Sequence, residues 1–202
     1  MPSIVLASGS PYRRELLGRL RVPFSQLSPE VDESPLPGEA PPALVRRLSL
    51  AKAQAVATRL DPRNRTLVIA SDQAALLDGT ILGKPGTEER AREQLRAASG
   101  RKVEFLTGLC LLDTGNGEYQ LDCIPYAVHF RRLGEERIAA YVAAERPLDC
   151  AGSFRSEGLG IVLFERMTGD DPTALVGLPL IRLVSMLERA GITLPLSAQD
   201  GS

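Results

Sequence analysis

Apolar and polar positions alternate between two periods along this chain. Residues 4–7 form a short apolar run with β-branched members, which predicts a buried strand. Ser8-Gly9-Ser10-Pro11 ends that run. Ser10 suits an N-cap and Pro11 the first helical position, so a helix is predicted from Pro11 to about Leu20, with Leu16, Leu17 and Leu20 turned inward. Residues 24–27 read as a second strand, followed by a proline-rich loop over 29–42. Leu44, Val45, Leu48, Ala51, Ala55 and Val56 recur at helical spacing and predict a helix from Leu44 to about Leu60. Residues 66–70 predict a buried strand that stops at Ser71-Asp72-Gln73, and Asp78-Gly79 between short apolar runs predicts a hairpin. Thr87 caps a helix reaching about Ala98, in which Glu88 and Arg92 stand at ion-pair spacing. Strands are predicted over 103–112 and 119–130, around a turn at 114–117. A helix over 135–144, a strand over 161–164 after the glycine-rich stretch 152–160, and a helix over 178–190 complete the pattern. This alternation puts the class at α/β or mixed α+β. No internal repeat and no long linker appears, so residues 1–195 are expected to be a single domain and 196–202 a disordered tail.

Composition narrows the function. With 202 residues, 44% hydrophobic and 24% charged, the chain is ordinary for a globular protein, which excludes intrinsic disorder and a disulfide-stapled miniprotein. Lys and Arg number 24 against 25 Asp and Glu, a formal net charge of -1. That balance lacks the broad basic surface that grips nucleic acid, so none is expected as a partner. A few clustered cations can still hold a small anion. His129 is the one histidine, which excludes a multi-histidine metal site, and it is expected to be structural. Cys110, Cys123 and Cys150 form no C-x-x-C pair and read as reduced core thiols. The first residues lack the positive region of a signal peptide, and no apolar run approaches the roughly 20 residues of a membrane span. The expected setting is the cytoplasm, with no membrane contact.

Five features carry candidate chemistry. Ser8-Gly9-Ser10-Pro11-Tyr12-Arg13-Arg14 joins a strand to a helix N-terminus, where backbone N–H groups, two hydroxyls and Arg13 can form an anion cradle. An ordinary capped helix with solvated arginines remains open. The Walker pattern is absent. Asp72 ends a predicted strand, where ligand crevices of open α/β sheets lie; turn capping weighs as much as function there. Lys52 and Lys84 stand among small residues that would let a ligand come close, although a helical lysine is more often solvated. Asp32 and Glu33 in the proline-rich loop suit a hard cation, or are solvated loop acids. The glycines of 152–158 allow unusual backbone angles and close ligand approach, or a structural turn. Together these are the means to hydrolyse a phosphoanhydride.

The motifs also form a recognisable ordered set. They are Leu-Ala-Ser-Gly-Ser-Pro-Tyr-Arg-Arg near the start, Glu-Val-Asp-Glu at 30–33, Ala-Lys-Ala at 51–53, Ser-Asp-Gln at 71–73 and Gly-Lys-Pro at 83–85. Leu-Asp-Cys-Ala-Gly-Ser-Phe at 148–154 and Val-Gly-Leu-Pro-Leu at 176–180 follow. In this order they resemble the Maf family of nucleoside triphosphate pyrophosphatases over nearly the whole chain. The resemblance implies an α/β fold with a mixed sheet, related to the inosine triphosphate pyrophosphatases, with a cleft between two lobes. It also implies a nucleotide substrate, a divalent cation (Mg²⁺ or Mn²⁺), a cytoplasmic location and, often, a homodimer. The reaction implied is cleavage between the α and β phosphates, giving a monophosphate and pyrophosphate. Carried over by motif, Asp72 is the proton acceptor. Ser8, Ser10, Arg13, Lys52 and Lys84 hold phosphates, and Glu33 joins Asp72 at the metal. Preplaced cations would stabilise the charge on the reacting phosphoryl oxygens.

Three positions bear on the nucleotide. The family resembles dTTP/UTP pyrophosphatases in one branch and 7-methyl-GTP pyrophosphatases in another. Tyr12, Gln73 and Glu157 stand where the first branch has Arg, Thr and Gln. Gln73 and Glu157 match the second branch. A cationic 7-methylguanine ring would stack on Tyr12 and pair with Glu157. Tyr12 departs from the Trp usual in that branch and is a weaker cation–π partner. The expectation is therefore removal of 7-methyl-GTP from the nucleotide pool. The alternatives are a dTTP/UTP pyrophosphatase, or a non-catalytic nucleotide-binding regulator of cell division.

Overall fold

The structure, a computed structural model, describes residues 1–196; of the tail expected to be disordered, 197–202 lie outside the described residues. The elements run β1 (Ser3–Ala7), α1 (Pro11–Gly18), β2 (Ser25–Leu27), α2 (Pro41–Ala57), β3 (Thr66–Leu77), β4 (Thr80–Leu82) and α3 (Glu88–Ala98). They continue with β5 (Lys102–Asp113), β6 (Tyr119–Phe130), α4 (Glu135–Glu145), β7 (Phe164–Thr168), α5 (Thr173–Val176) and α6 (Leu180–Arg189). The strands hydrogen-bond in the order β2-β1-β3-β5-β6-β7, with β4 on β3. β1 is parallel to β2 and to β3, while β3–β4 and β6–β7 are antiparallel. The fold is α/β with a mixed sheet, as the sequence led us to expect. Among the described residues no helix is long and apolar enough to cross a membrane.

The chain forms two compact units. The first comprises residues 1–73, 107–124 and the described residues from 177 onward, and the second 74–106 and 125–176. In the first unit α2 packs on the sheet through Ala53 and Val56, which meet Val5, Ala7, Val68, Ala70, Cys110 and Leu112. Gly108 of β5 allows this approach: a Cβ there would collide with the Val45 carbonyl and with Ser49 Oγ, 2.5 Å away. The second unit centres on four phenylalanines. Phe154 meets Phe105, Phe130 and Phe164 edge-on, with ring centroids 5.4, 5.4 and 4.9 Å away. Such edge-to-face pairs add about 0.5–1.5 kcal/mol each beyond their buried area.

Most predicted elements are present with shifted ends. α1 stops at Gly18, so Leu20 lies in the turn after it and is half-buried. α2 begins at Pro41 because its first two residues are prolines, which suit a helix start, and it ends at Ala57. The Asp78-Gly79 hairpin takes the left-handed angles of a tight turn, φ 48° and 80°. Thr87 caps α3 by accepting from Arg90 N–H.

Two expectations need correction. β3 does not stop at Ser71-Asp72-Gln73; it is one 12-residue strand through them. Polar side chains interrupt the apolar run there, but the Ser71 hydroxyl donates to the Gly108 carbonyl on β5, and Gln73 Nε2 donates to Thr107 Oγ1 beside it. Asp72 therefore sits within a strand, and the argument from a crevice beyond a strand end does not apply to it. The predicted strand over 161–164 is instead a 3-10 turn, Leu159–Leu163, and β7 starts only at Phe164. Ile161 and Val162 point outward, and Gly160 N–H closes back on the Arg155 carbonyl at 3.0 Å.

Candidate active site

The first unit gathers most of the candidate side chains. At the junction of β1 and α1, Ser10 is the N-cap and accepts from Arg13 N–H at 3.4 Å, while Ser8 Oγ accepts from Ser10 N–H at 3.1 Å. The capped-helix reading is thus correct for Ser10, yet each of the two hydroxyls that accepts keeps its own O–H to donate. Gln26 of neighbouring β2 braces the loop, its Nε2 donating to the Ser8 carbonyl at 2.6 Å. Tyr12 is half-buried in the first turn of α1.

Arg13 is anchored rather than solvated. Its Nε donates to the Gly177 carbonyl at 2.8 Å. Ser71 Oγ reaches the same carbonyl at 2.8 Å, so Gly177 ties the start of α1 to β3. Gly177 has φ 105°, in the region that favours glycine. Burial pushes the Arg13 guanidinium below its ordinary pKa, and the negative charges of Asp72 and Glu33 push it back up. Arg13 therefore senses both candidate metal-holding carboxylates.

Those carboxylates converge on Lys52. Lys52 lies on the buried face of α2, 5% exposed, and Asp72 is 8% exposed on β3. Lys52 Nζ stands 2.6 Å from Asp72 Oδ1 and 2.7 Å from Glu33 Oε1. The solvated-lysine alternative does not describe Lys52. A buried ion pair is weak evidence for stability, since desolvating both charges offsets most of their attraction. Asp32 turns elsewhere: the Ser34 hydroxyl lowers its pKa, helped by the Ser34 N–H from which it accepts at 2.9 Å. Asp32 and Glu33 thus do not act as a pair.

The donor set decides what cation could bind. Among the described residues no cluster of three or more His, Cys, Asp or Glu side chains is placed to hold a metal. Two carboxylates converging on one cationic centre suit a hard divalent ion that completes its shell with water and substrate phosphates. They do not suit a site made wholly of protein ligands.

Gln73 follows Asp72 on β3, half-buried, with Thr107 as a partner at 3.0 Å. Lys84 and Glu157 belong to the second unit, each on a loop and exposed. Glu157 accepts from Ser156 Oγ at 3.0 Å. Gln26, Ser71, Thr107 and Gly177 were assigned no role from sequence, although Ser71 and Gly177 stand inside the quoted motifs. His129 Nε2 lies 3.4 Å from Thr168 Oγ1, within the second unit. Burial raises the Cys110 thiol to about 12, which makes it an inert core group.

A family profile described as "Maf-like protein" matches residues 3–190. A Pseudomonas aeruginosa protein named 7-methyl-GTP pyrophosphatase is 60% identical over 195 residues, covering 96% of this chain and 100% of that one. A Burkholderia thailandensis protein of the same name is 54% identical over 205 residues, covering 100% of this chain and 95% of that one. Among solved structures, the Staphylococcus aureus Ham1 protein superposes with a TM-score of 0.52 at 16% identity, covering 94% of this chain and 100% of that one, a likeness of fold alone. With the buried Lys52 between two carboxylates and the motifs in order, the family match leads to one conclusion: the chain belongs to the Maf family.

Proposed function

We propose that this protein is a nucleoside triphosphate pyrophosphatase that hydrolyses 7-methyl-GTP to 7-methyl-GMP and pyrophosphate. The observation that carries the reading is Asp72, 2.6 Å from a buried Lys52 that Glu33 shares, in a chain 60% identical to a protein named for that activity. Water adds to a phosphorus of the α–β anhydride as the bridging P–O bond breaks, and Asp72 takes the proton that water loses. Lys52 and Arg13 neutralise charge that builds on the phosphoryl oxygens, and the Ser8 and Ser10 hydroxyls donate to them. Lys84 contributes a further ammonium, on the strength of its motif. A divalent cation, Mg²⁺ or Mn²⁺, would be held by Glu33 and Asp72 and would supply further charge neutralisation when bound. Tyr12 offers a face to the base, and Glu157 a carboxylate to the positive methylated ring. Gln73 lies beside Asp72, placed by Thr107.

The test is pyrophosphate release with Mg²⁺ or Mn²⁺ from 7-methyl-GTP, GTP, dTTP and UTP, beside Asp72→Asn. Fast release from 7-methyl-GTP, lost in the variant, is expected. Preference for dTTP or UTP would keep the chemistry and overturn the roles of Tyr12, Gln73 and Glu157. Binding without release would favour the regulator.

A further inference from the structure

Glu157 has a cationic neighbour in sequence, Arg155, two residues away on the same loop. An exposed arginine so close would neutralise a carboxylate meant for a positive base. In the structure Arg155 is engaged by α4 and the segment after it. Its Nη1 lies 3.1 Å from Glu145 Oε1 at the end of α4, and its Nη2 3.8 Å from Asp149. The other oxygen of Glu145 accepts from Leu159 N–H at 2.8 Å. One carboxylate, only 13% exposed, therefore fastens the loop two residues before Glu157 and two residues after it.

The rest of the loop fits around this carboxylate. A Cβ on Gly158 would stand 2.7 Å from Glu145 Oε1, so a side chain next to Glu157 would push on this carboxylate. Tyr141, one turn before Glu145 on α4, accepts from Arg155 N–H at 3.0 Å through its hydroxyl. Ser153, with φ 62°, donates to Gln94 Oε1 at 2.5 Å and fixes the entry to the loop. The backbone at both ends is held, and Glu157 projects from between the two anchors.

We infer that Glu145 is a positioning residue for nucleotide selection: it engages Arg155 and so keeps that guanidinium from pairing with the Glu157 carboxylate that a cationic base needs. The inference rests on the proposed role of Glu157. It assigns two functions to Glu145, a brace on the loop and an electrostatic diversion of Arg155. Only the second requires that selectivity depend on the charge of Arg155.

The experiment compares kcat/KM for 7-methyl-GTP and for GTP in Glu157→Gln, Glu145→Ala, Arg155→Ala and the double variant Glu145→Ala/Arg155→Ala. Glu145→Ala releases Arg155 toward Glu157. The preference for 7-methyl-GTP is expected to fall roughly two- to fivefold, the scale of one partly exposed charge pair, mostly through KM. Arg155→Ala removes the competing cation and is expected to keep the preference. The double variant is expected to restore what Glu145→Ala lost. If Arg155→Ala and the double variant lose the preference as fully as Glu145→Ala, Glu145 is only a brace and the inference is overturned. The inference also fails if Glu145→Ala leaves the preference unchanged while Glu157→Gln lowers it. Should Glu157→Gln itself leave the preference untouched, the role given to Glu157 fails first. Glu145→Gln, which keeps the size and acceptor of the side chain without its charge, guards against simple misfolding and is expected to lose part of the preference.

Discussion

The two units present their candidate residues in opposite ways. In the first, Lys52 and Asp72 come from a helix and the middle of a strand, nearly buried, each already paired with charge. In the second, Lys84 and Glu157 come from loops and are exposed. Groups on packed elements keep fixed distances, which suits bond-breaking chemistry. Groups on loops change with little cost to the fold, which suits choosing among bases. In the proposed function, the packed pair Lys52 and Asp72 serves the reaction and the loop residue Glu157 serves selection.

The sharpest way to break that division is Asp72→Asn. The amide cannot accept the water's proton as the carboxylate does, and pyrophosphate release should fall about 10³-fold, within the usual range for a general base. A variant that stays active would remove chemistry from the first unit. Lys52→Ala should lower stability as well as rate. It leaves the Asp72 carboxylate buried without its ammonium, and removing one partner of a buried pair costs about 3–5 kcal/mol. Urea midpoints of the two variants distinguish them: Lys52→Ala should shift and Asp72→Asn much less. Gly108→Ala tests placement alone. Its methyl would press on the Val45 carbonyl and Ser49 Oγ, lift α2, and destabilise by about 1–3 kcal/mol, with rate falling because Lys52 rides on that helix. Glu157→Gln sharpens the other side, where the preference for 7-methyl-GTP should fall roughly tenfold with kcat on GTP little altered. The smallest effect concerns Glu39, whose carboxyl the Arg47 guanidinium brings from 4.5 down to about 2. A carboxyl lowered on folding contributes stability that is complete above its ordinary value and disappears as pH falls toward the folded one. Glu39→Gln should therefore flatten the loss of stability between about pH 4.5 and 2, measured by thermal unfolding at each pH.

Much of the fold was legible because periodicity survives wherever one face is buried. The caps at Ser10 and Thr87 and the Asp78-Gly79 turn were readable because each depends on one or two neighbouring residues. β3 was misjudged because its polar residues find partners on β5 and at Gly177, contacts that local sequence does not record. The same limit applies to Lys52. Mid-helix among alanines it looked solvated, and only the approach of α2 over Gly108 buries it beside Asp72. Family motifs supplied names for the site residues, but not the division of Asp32 from Glu33, nor the anchoring of Arg13. Those depend on where the loop and the C-terminal segment come to rest.

The Gly177 carbonyl also bears on the order of assembly. It receives Arg13 from 164 positions earlier and Ser71 from 106 positions earlier. Contacts of such separation form late, after shorter loops have closed. On the ribosome, β1 and α1 emerge first, while the acceptor that fixes Arg13 is still unmade. A nascent chain stopped before residue 177 holds the serines, Lys52 and Asp72 but lacks the anchor for its guanidinium. The guanidinium of Arg13 gains its fixed direction only once the segment carrying Gly177 has been made.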